Sequence, residues 1–309
     1  MYRIVFFGTP KIASVCLKAL IDSKNEIVGV VSQPDRLVDK NKKVIFSEVK
    51  QVAIENNLFL MQPEKVSEAK QKIKDLKPDI IITCAYGNLI PSSILDIPKF
   101  KCVNFHTSLL PKYRGGAPIH HAILNMEKET GLTIMYMDKG MDNGDIIKQF
   151  PVIITENTTY SELYEILSKL IYEKCLENID YLCTTHVYSV KQNENLVSFA
   201  PIIKRENEKI NWNSNAINIK YFVNALYSIP MAYTTLDELN IKITKIKLTT
   251  TPSNAKPGTI INVSKSGVEV CCSDYNILIT DFIIPGKKEI NITSYINGNK
   301  IFVIGKKFI

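Results

Sequence analysis

The chain has 309 residues, 45% of them hydrophobic and 22% charged, with a net charge of +7. That length favours two domains over one, that composition supports buried cores, and no run approaches the roughly 18–20 apolar residues needed to span a bilayer. The seven cysteines form an odd set without a CxxC pair, which argues against a disulfide framework or a zinc site and for a reducing compartment.

Arg3–Phe7 reads as a core strand running into Gly8, so no signal or transit segment is expected ahead of the fold, and the expected location is the cytoplasm. Further short apolar, β-branched runs follow at Ile27–Val31, Ile80–Cys84 and Val103–Phe105, with helical spacing over Ser14–Leu20 and Phe46–Asn56 between them. Apolar strands alternating with helices predict a mostly parallel sheet covered on both faces, an α/β Rossmann-like architecture. Strands are also expected at Leu132–Met137 and Ile146–Ile154, and a long amphipathic helix from Tyr160 to about Leu182.

From Val187 the chain turns polar and irregular, as a linker would. Beyond Trp212 one helix is expected over Ala216–Leu226. Short β-rich runs follow at Ile241–Thr249, Gly258–Val263, Val268–Cys272 and Ile277–Phe282, with turn residues between them. Strands without intervening helices predict a small antiparallel barrel. Residues 207–309 carry 12 lysines, no arginine and 7 acidic side chains, so +5 of the charge lies there and +2 in the first 206 residues. A basic module attracts polyanions such as RNA, although a solubilising lysine surface has the same composition.

Ligands of open α/β sheets sit beyond the carboxyl ends of the strands. Asn104 and His106 share one face at such an end. An amide can stabilise an oxyanion there and an imidazole can manage protons, as acyl transfer requires. An isolated Asn-x-His is more often a turn-forming Asn and a capping His. In Met137–Asp145, three carboxylates surround two glycines, but the spacing is not that of an EF-hand and no glutamate closes the loop, so no metal is expected. Asp142 on that loop could pair with an imidazole and fix its tautomer. The semi-apolar loop Ala85–Pro91 could line the pocket of a flat aromatic ligand. Gly8-Thr9-Pro10 lacks the GxGxxG glycines, so a dinucleotide site is poorly supported.

Taken in order, these segments resemble the methionyl-tRNA formyltransferase family over essentially the whole chain. The resemblance rests on Gly8-Thr9-Pro10, Gln33-Pro34-Asp35-Arg36, Ala85-Tyr86-Gly87, Asn104-x-His106-x-Ser108-Leu109-Leu110-Pro111, Arg114-Gly115-x-Ala117-Pro118-Ile119 and Met137-Asp138-x-Gly140-x-Asp142-x-Gly144-Asp145. In the last third it adds Ile210-x-Trp212, Pro257-Gly258-Thr259-Ile260 and Pro285-Gly286-Lys287-Lys288. It implies a formyltransferase catalytic domain over 1–186, a linker over 187–206 and an OB-like tRNA-binding barrel over 207–309. The donor would be 10-formyltetrahydrofolate, with no metal, and the acceptor the α-amino group of methionyl initiator tRNA, for translation initiation.

Residue by residue, the resemblance implies Asn104, His106 and Asp142 as the catalytic trio. It implies Ser108, Leu109, Leu110 and Pro111 as the folate-site signature, with Tyr86, Gly87, Leu89, Ile90 and Asn143 around the pterin. Arg36, Lys40, Lys42, Lys43 and Arg114 would contact tRNA. Lys40 stands where the family often has arginine, which keeps the charge but not the planar fork. The chief rival is a folate-dependent formyltransferase acting on a nucleotide-linked amino sugar. It shares Asn-x-His and Ser-Leu-Leu-Pro but not the basic loop and basic second domain. Nothing in the sequence calls for more than a monomer.

Overall fold

The structure is a computed structural model that describes residues 1–36, 44–296 and 301–309. The chain forms two compact units. The first comprises Met1–Pro118, Glu129–Ile153 and Tyr164–Pro201, and the second Ile119–Lys128, Ile154–Leu163 and Ile202–Ile309.

The first unit is built on a seven-stranded sheet. Strands β1 (Arg3–Gly8), β2 (Glu26–Val31), β3 (Leu60–Met61), β4 (Ile80–Cys84) and β5 (Cys102–His106) run parallel, in the order β3-β2-β1-β4-β5. Strands β6 (Glu129–Tyr136) and β7 (Ile146–Ile153) extend the sheet antiparallel beyond β5. Ile4–Phe7 and Ile80–Ile82 have 0% exposure, because strands apolar on both faces must be covered on both. Helices α1 (Lys11–Asp22), α2 (Glu48–Glu55), α3 (Lys70–Asp75) and α4 (Ser92–Leu95) connect the parallel strands; of the next two, α5 (Pro118–Leu124) belongs to the second unit from Ile119, and the long α6 (Tyr160–Leu182) to the first from Tyr164. On α1 the buried residues Ile12, Ala13, Cys16, Leu17 and Leu20 make the apolar stripe of a helix that faces a sheet. Helix α2 starts at Glu48, later than the spacing predicts, because the Ser47 side chain accepts the Lys50 N–H and caps it.

Residues 190–200, expected within a linker, hydrogen-bond along the first unit. Val190 exchanges two backbone bonds with Ile146, both 2.8 Å, while Arg114 N donates to Ser198 O at 2.9 Å and Ala200 N to Arg114 O at 2.8 Å.

The second unit contains α7 (Ala216–Leu226), whose span matches the sequence expectation. Its antiparallel strands are β8 (Tyr233–Leu236), β9 (Leu239–Pro252), β10 (Ile260–Ser264), β11 (Gly267–Cys271), β12 (Tyr275–Ile283) and β13 (Ile290–Asn291), followed by α8 (Ile292–Tyr295). The order β10-β11-β12-β9-β8 leaves β10 and β8 as edges. The C-terminal segment joins them: Ile260 N donates to Lys306 O at 2.9 Å, and Thr235 and Ile309 exchange backbone bonds of 3.0 and 2.9 Å. Pairing both edges closes the sheet into a barrel and removes exposed strand edges. Phe308 on that segment stacks on Trp212 with ring centroids 5.3 Å apart, and both are buried. Gly258 lies at φ +87°, where a Cβ would stand 2.6 Å from Phe308 O, which explains the glycine of the Pro257-Gly258 turn. Phe308→Ala should therefore lower the stability of the barrel by about 3–5 kcal/mol, the usual cost of deleting a buried phenylalanine. Denaturant unfolding of the full chain, followed by Trp212 fluorescence, checks this; an unshifted midpoint would mean the closing strand contributes nothing.

All seven cysteines are free and buried, and no helix among the described residues is long and apolar enough to cross a membrane.

Candidate active site

Parallel pairing of β4 with β5 sets Thr83 opposite Asn104, and antiparallel pairing with β6 sets His106 opposite Thr133. The Thr83 hydroxyl donates to Asn104 Oδ1 at 2.8 Å. An ionised carboxylate only accepts, so the amide end that faces Asp142 Oδ1 at 3.4 Å is Nδ2, and Oδ1 is left for the Thr83 hydroxyl. His106 is 6% exposed, and its Nε2 lies 3.0 Å from Tyr113 O. A carbonyl only accepts, so Nε2 carries a hydrogen and Nδ1 is the nitrogen left to take or give a proton. Nδ1 lies 3.6 Å from Asp142 Oδ2. Residues 38 positions apart in sequence thus bring an amide, an imidazole and a carboxylate to one point.

Asp142 reaches that point from a tight loop. Its φ is +48°, a left-handed conformation that aspartate tolerates better than most residues. Gly144 allows the loop to fold back on β6, since a Cβ there would stand 2.0 Å from Tyr136 O. Gly115 N donates to Asp142 Oδ2 at 2.9 Å, with Gly115 at φ +122° and its missing Cβ only 2.8 Å from Ala200 O. Each of these glycines is thus required sterically, Gly115 against Ala200 and Gly144 against Tyr136. Below the loop, Gln192 Nε2 donates to both Asp142 O and Gly144 O at 2.8 Å.

The segment after β5 is held by its own polar groups. Ser108 is fully buried; its hydroxyl donates to Lys112 O at 2.7 Å, and its carbonyl accepts from Thr133 Oγ1 at 2.6 Å. The peptide bond between Leu110 and Pro111 is cis, and Gln149 Nε2 donates to Leu110 O at 2.9 Å. Ser108 therefore fixes the turn through its hydrogen bonds, while Leu109 and Pro111 remain half-buried.

In the loop after β4, Tyr86 and Ile90 insert into the core beside Phe7, Ile73 and Ile94, and burial pushes the Tyr86 phenol up, with the Asn88 side chain opposing it. Gln33 Nε2 donates to Tyr86 O at 2.7 Å, which gives the Gln33-Pro34-Asp35 motif a structural task. Ala85, Gly87, Asn88 and Leu89 are the exposed residues of the loop, Leu89 at 63%. The Asn143 amide oxygen is buried and has no hydrogen-bond partner. A buried acceptor left unmatched suits a ligand that brings an N–H donor to it. Among the described residues no group of three or more His, Cys, Asp or Glu is arranged to hold a metal ion.

An oriented amide N–H, a titratable imidazole nitrogen and a carboxylate within reach of both are the equipment of acyl transfer. A family model described as formyl transferase matches residues 2–178, and one described as formyl transferase, C-terminal domain, matches residues 202–300. The methionyl-tRNA formyltransferase of Malacoplasma penetrans is 42% identical over 303 residues, covering 98% of this chain and 95% of the relative. The chain belongs to the methionyl-tRNA formyltransferase family. The family member from Clostridioides difficile is 41% identical, covering 97% of each chain. The fold is shared more widely. An N-formyltransferase from Helicobacter canadensis, solved with folinic acid and dTDP-3-aminofucose, superposes with a TM-score of 0.67 at 22% identity, covering 90% of this chain and 99% of that one.

Within this formyltransferase, the residues expected at tRNA divide into three groups. Arg36 is exposed and pairs with Glu64 at 3.1 Å. Lys40, Lys42 and Lys43 lie outside the described residues. Arg114 is 5% exposed, and its guanidinium donates to Gln192 Oε1, at 3.1 Å from Nε and 2.9 Å from Nη2, and to the Glu194 carboxylate at 2.8 and 3.3 Å. A cation buried and paired in this way braces the loops that carry Gln192 and Glu194. Thr83 and Gln192 carry no motif, and neither is evident from the sequence alone.

Proposed function

We propose that this chain transfers the formyl group of 10-formyltetrahydrofolate to the α-amino group of methionyl initiator tRNA, in the cytoplasm. The observation that carries the reading is the convergence of Asn104 Nδ2 and His106 Nδ1 on the Asp142 carboxylate, in a chain matched over its length by relatives named for that reaction. Gly87, Leu89, the Asn143 amide and the Ser108–Pro111 turn would hold the folate, which when bound supplies a formyl group on a nitrogen leaving group. The second N–H of the Asn104 amide is available to the oxygen that becomes negative during acyl transfer. His106 Nδ1 takes the proton released by the attacking amine and returns it to the leaving nitrogen, while Asp142 holds the imidazole. An α-amino group has a reference pKa of about 7.7–8.0, so a useful fraction is neutral and nucleophilic near pH 7.

Incubating the purified protein with 10-formyltetrahydrofolate and charged initiator tRNA should yield formylmethionine. A parallel reaction offers a nucleotide-linked amino sugar. Formylated sugar with untouched tRNA would overturn the acceptor, and no formyl transfer to either would overturn the enzyme reading.

The basic segment Lys40–Lys43 follows Arg36 and is proposed to meet tRNA phosphates. Replacing Lys40, Lys42 and Lys43 together with alanine should weaken tRNA binding and reduce the slope of log K against log salt by roughly 2–3, one unit or slightly less per lost phosphate contact. A filter-binding titration that returns the parent slope would leave these lysines as solvated surface.

A further inference from the structure

We propose that Gln192 is a positioning residue for the reaction, setting the Asp142 carboxylate by tying the 142–144 loop to the buried Arg114. The inference rests on the proposed role of Asp142. Gln192 lies 9% exposed between two groups of opposite hydrogen-bonding character. On one side are the carbonyls of Asp142 and Gly144, which only accept; on the other is the Arg114 guanidinium, which only donates. A primary amide satisfies both at once, and in one orientation only. Its Nε2 gives both hydrogens to the carbonyls at 2.8 Å, and its Oε1 takes Nε and Nη2 of Arg114 at 3.1 and 2.9 Å. The hydrogen-bonding capacity of the side chain is used in full.

The same two segments grip Asp142 at its other end. Gly115, next to Arg114, donates its N–H to Asp142 Oδ2 at 2.9 Å, the oxygen nearest His106 Nδ1. Arg114 is itself fixed through its backbone to Ser198 and Ala200, and through its side chain to Glu194, whose carboxyl it holds below the usual range. The Asp142 main chain, at φ +48°, is therefore pinned from beneath by Gln192 while its carboxylate is pinned from the side by Gly115. That left-handed conformation, although tolerated by aspartate, is less favoured than the right-handed one and gains from being held. Without the Gln192 amide, the two carbonyls lose their donors and the loop loses its lower anchor. A displacement of about 1 Å at the reacting groups costs on the order of 10²-fold in rate.

The test uses the full chain and two variants. Gln192→Leu removes both ends of the amide. Gln192→Glu keeps an acceptor for Arg114, and so keeps that cation paired, while removing the two N–H donors. Each is made alone and in an Asp142→Ala background, and initial rates are measured against tRNA concentration, with thermal melting as a check on folding. Gln192→Glu should lower kcat by roughly 10- to 100-fold with KM for tRNA almost unchanged, and should lower kcat no further once Asp142 is alanine. Parent-like kcat in Gln192→Glu, or an equal loss in both backgrounds, would show that Gln192 only braces the fold and would overturn the proposal. If Gln192→Leu does not fold, Gln192→Glu decides alone. Parent-like kcat in Asp142→Ala would remove the role of Asp142 and the positioning with it. An impaired Asp142→Ala beside an unimpaired Gln192→Glu would remove the positioning alone.

Discussion

Asn104→Ala is expected to lower kcat/KM by on the order of 10²–10³ while leaving the protein folded, the usual cost of deleting one oxyanion donor. The loss should fall mainly on kcat, because the amide's spare N–H matters most when charge has developed on the acyl oxygen. The fold should survive for a local reason. Thr83, which donates to Asn104 Oδ1 at 2.8 Å, has Val103 O at 3.3 Å as a second acceptor, so truncation strands no buried hydroxyl. Asp142 keeps Gly115 N at 2.9 Å. Initial rates of formylmethionyl-tRNA formation, with a melting curve on the same preparation, separate the two effects. Near-parent turnover in a folded Asn104→Ala protein would sink the assignment of this amide to the chemistry.

Much of the fold was legible because the first unit's strands are apolar on both faces and its helices carry one apolar stripe. The sequence predicts a strand at Ile80–Cys84 and a helix at Ala216–Leu226, and the structure has both with those bounds. Strand β8, Tyr233–Leu236, was not foreseen. Its alternation spans only four residues, and it gains its identity from β9 and from the C-terminal Ile309, which no local window contains. The site divides along the same line. Asn104 and His106 could be placed on one strand face from the sequence, but their distance to Asp142 depends on Gly115, Gly144 and Gln192 acting across segments. Gln192 sits in a polar stretch whose composition reads as a linker, and nothing local reveals that it faces a buried arginine. Arg114 misleads for the converse reason. The family resemblance implies a tRNA contact for Arg114, whereas in the structure four of its N–H hydrogens are taken by Gln192 and Glu194. In both cases what decides the role is a partner about 80 residues away.

Asp142→Asn is expected to cost at least as much as Asn104→Ala, even though it preserves the shape of the side chain. Both groups that bond to the Asp142 carboxylate are donors: Asn104 Nδ2 at 3.4 Å reaches Oδ1, and Gly115 N at 2.9 Å reaches Oδ2. A carboxylate accepts at both oxygens, whereas an asparagine must turn its NH₂ toward one of these donors. Turned toward Asn104, it pushes away the amide meant for the acyl oxygen. Turned toward Gly115, it leaves a part-buried N–H unpaired and presents a donor to His106. Either way the negative charge that would steady a protonated His106, with Nδ1 now 3.6 Å from Oδ2, is gone. The expected result is a fall in kcat of on the order of 10²–10⁴, the range of a general acid–base contribution. Melting temperature should drop only modestly, because Gln192 still holds the backbone of residue 142. The decisive comparison is single-turnover formyl transfer by parent and variant at saturating tRNA. A rate within about tenfold of the parent would mean that neither the charge nor the acceptor pattern of Asp142 serves the proton transfer, and His106 would then have to act without it.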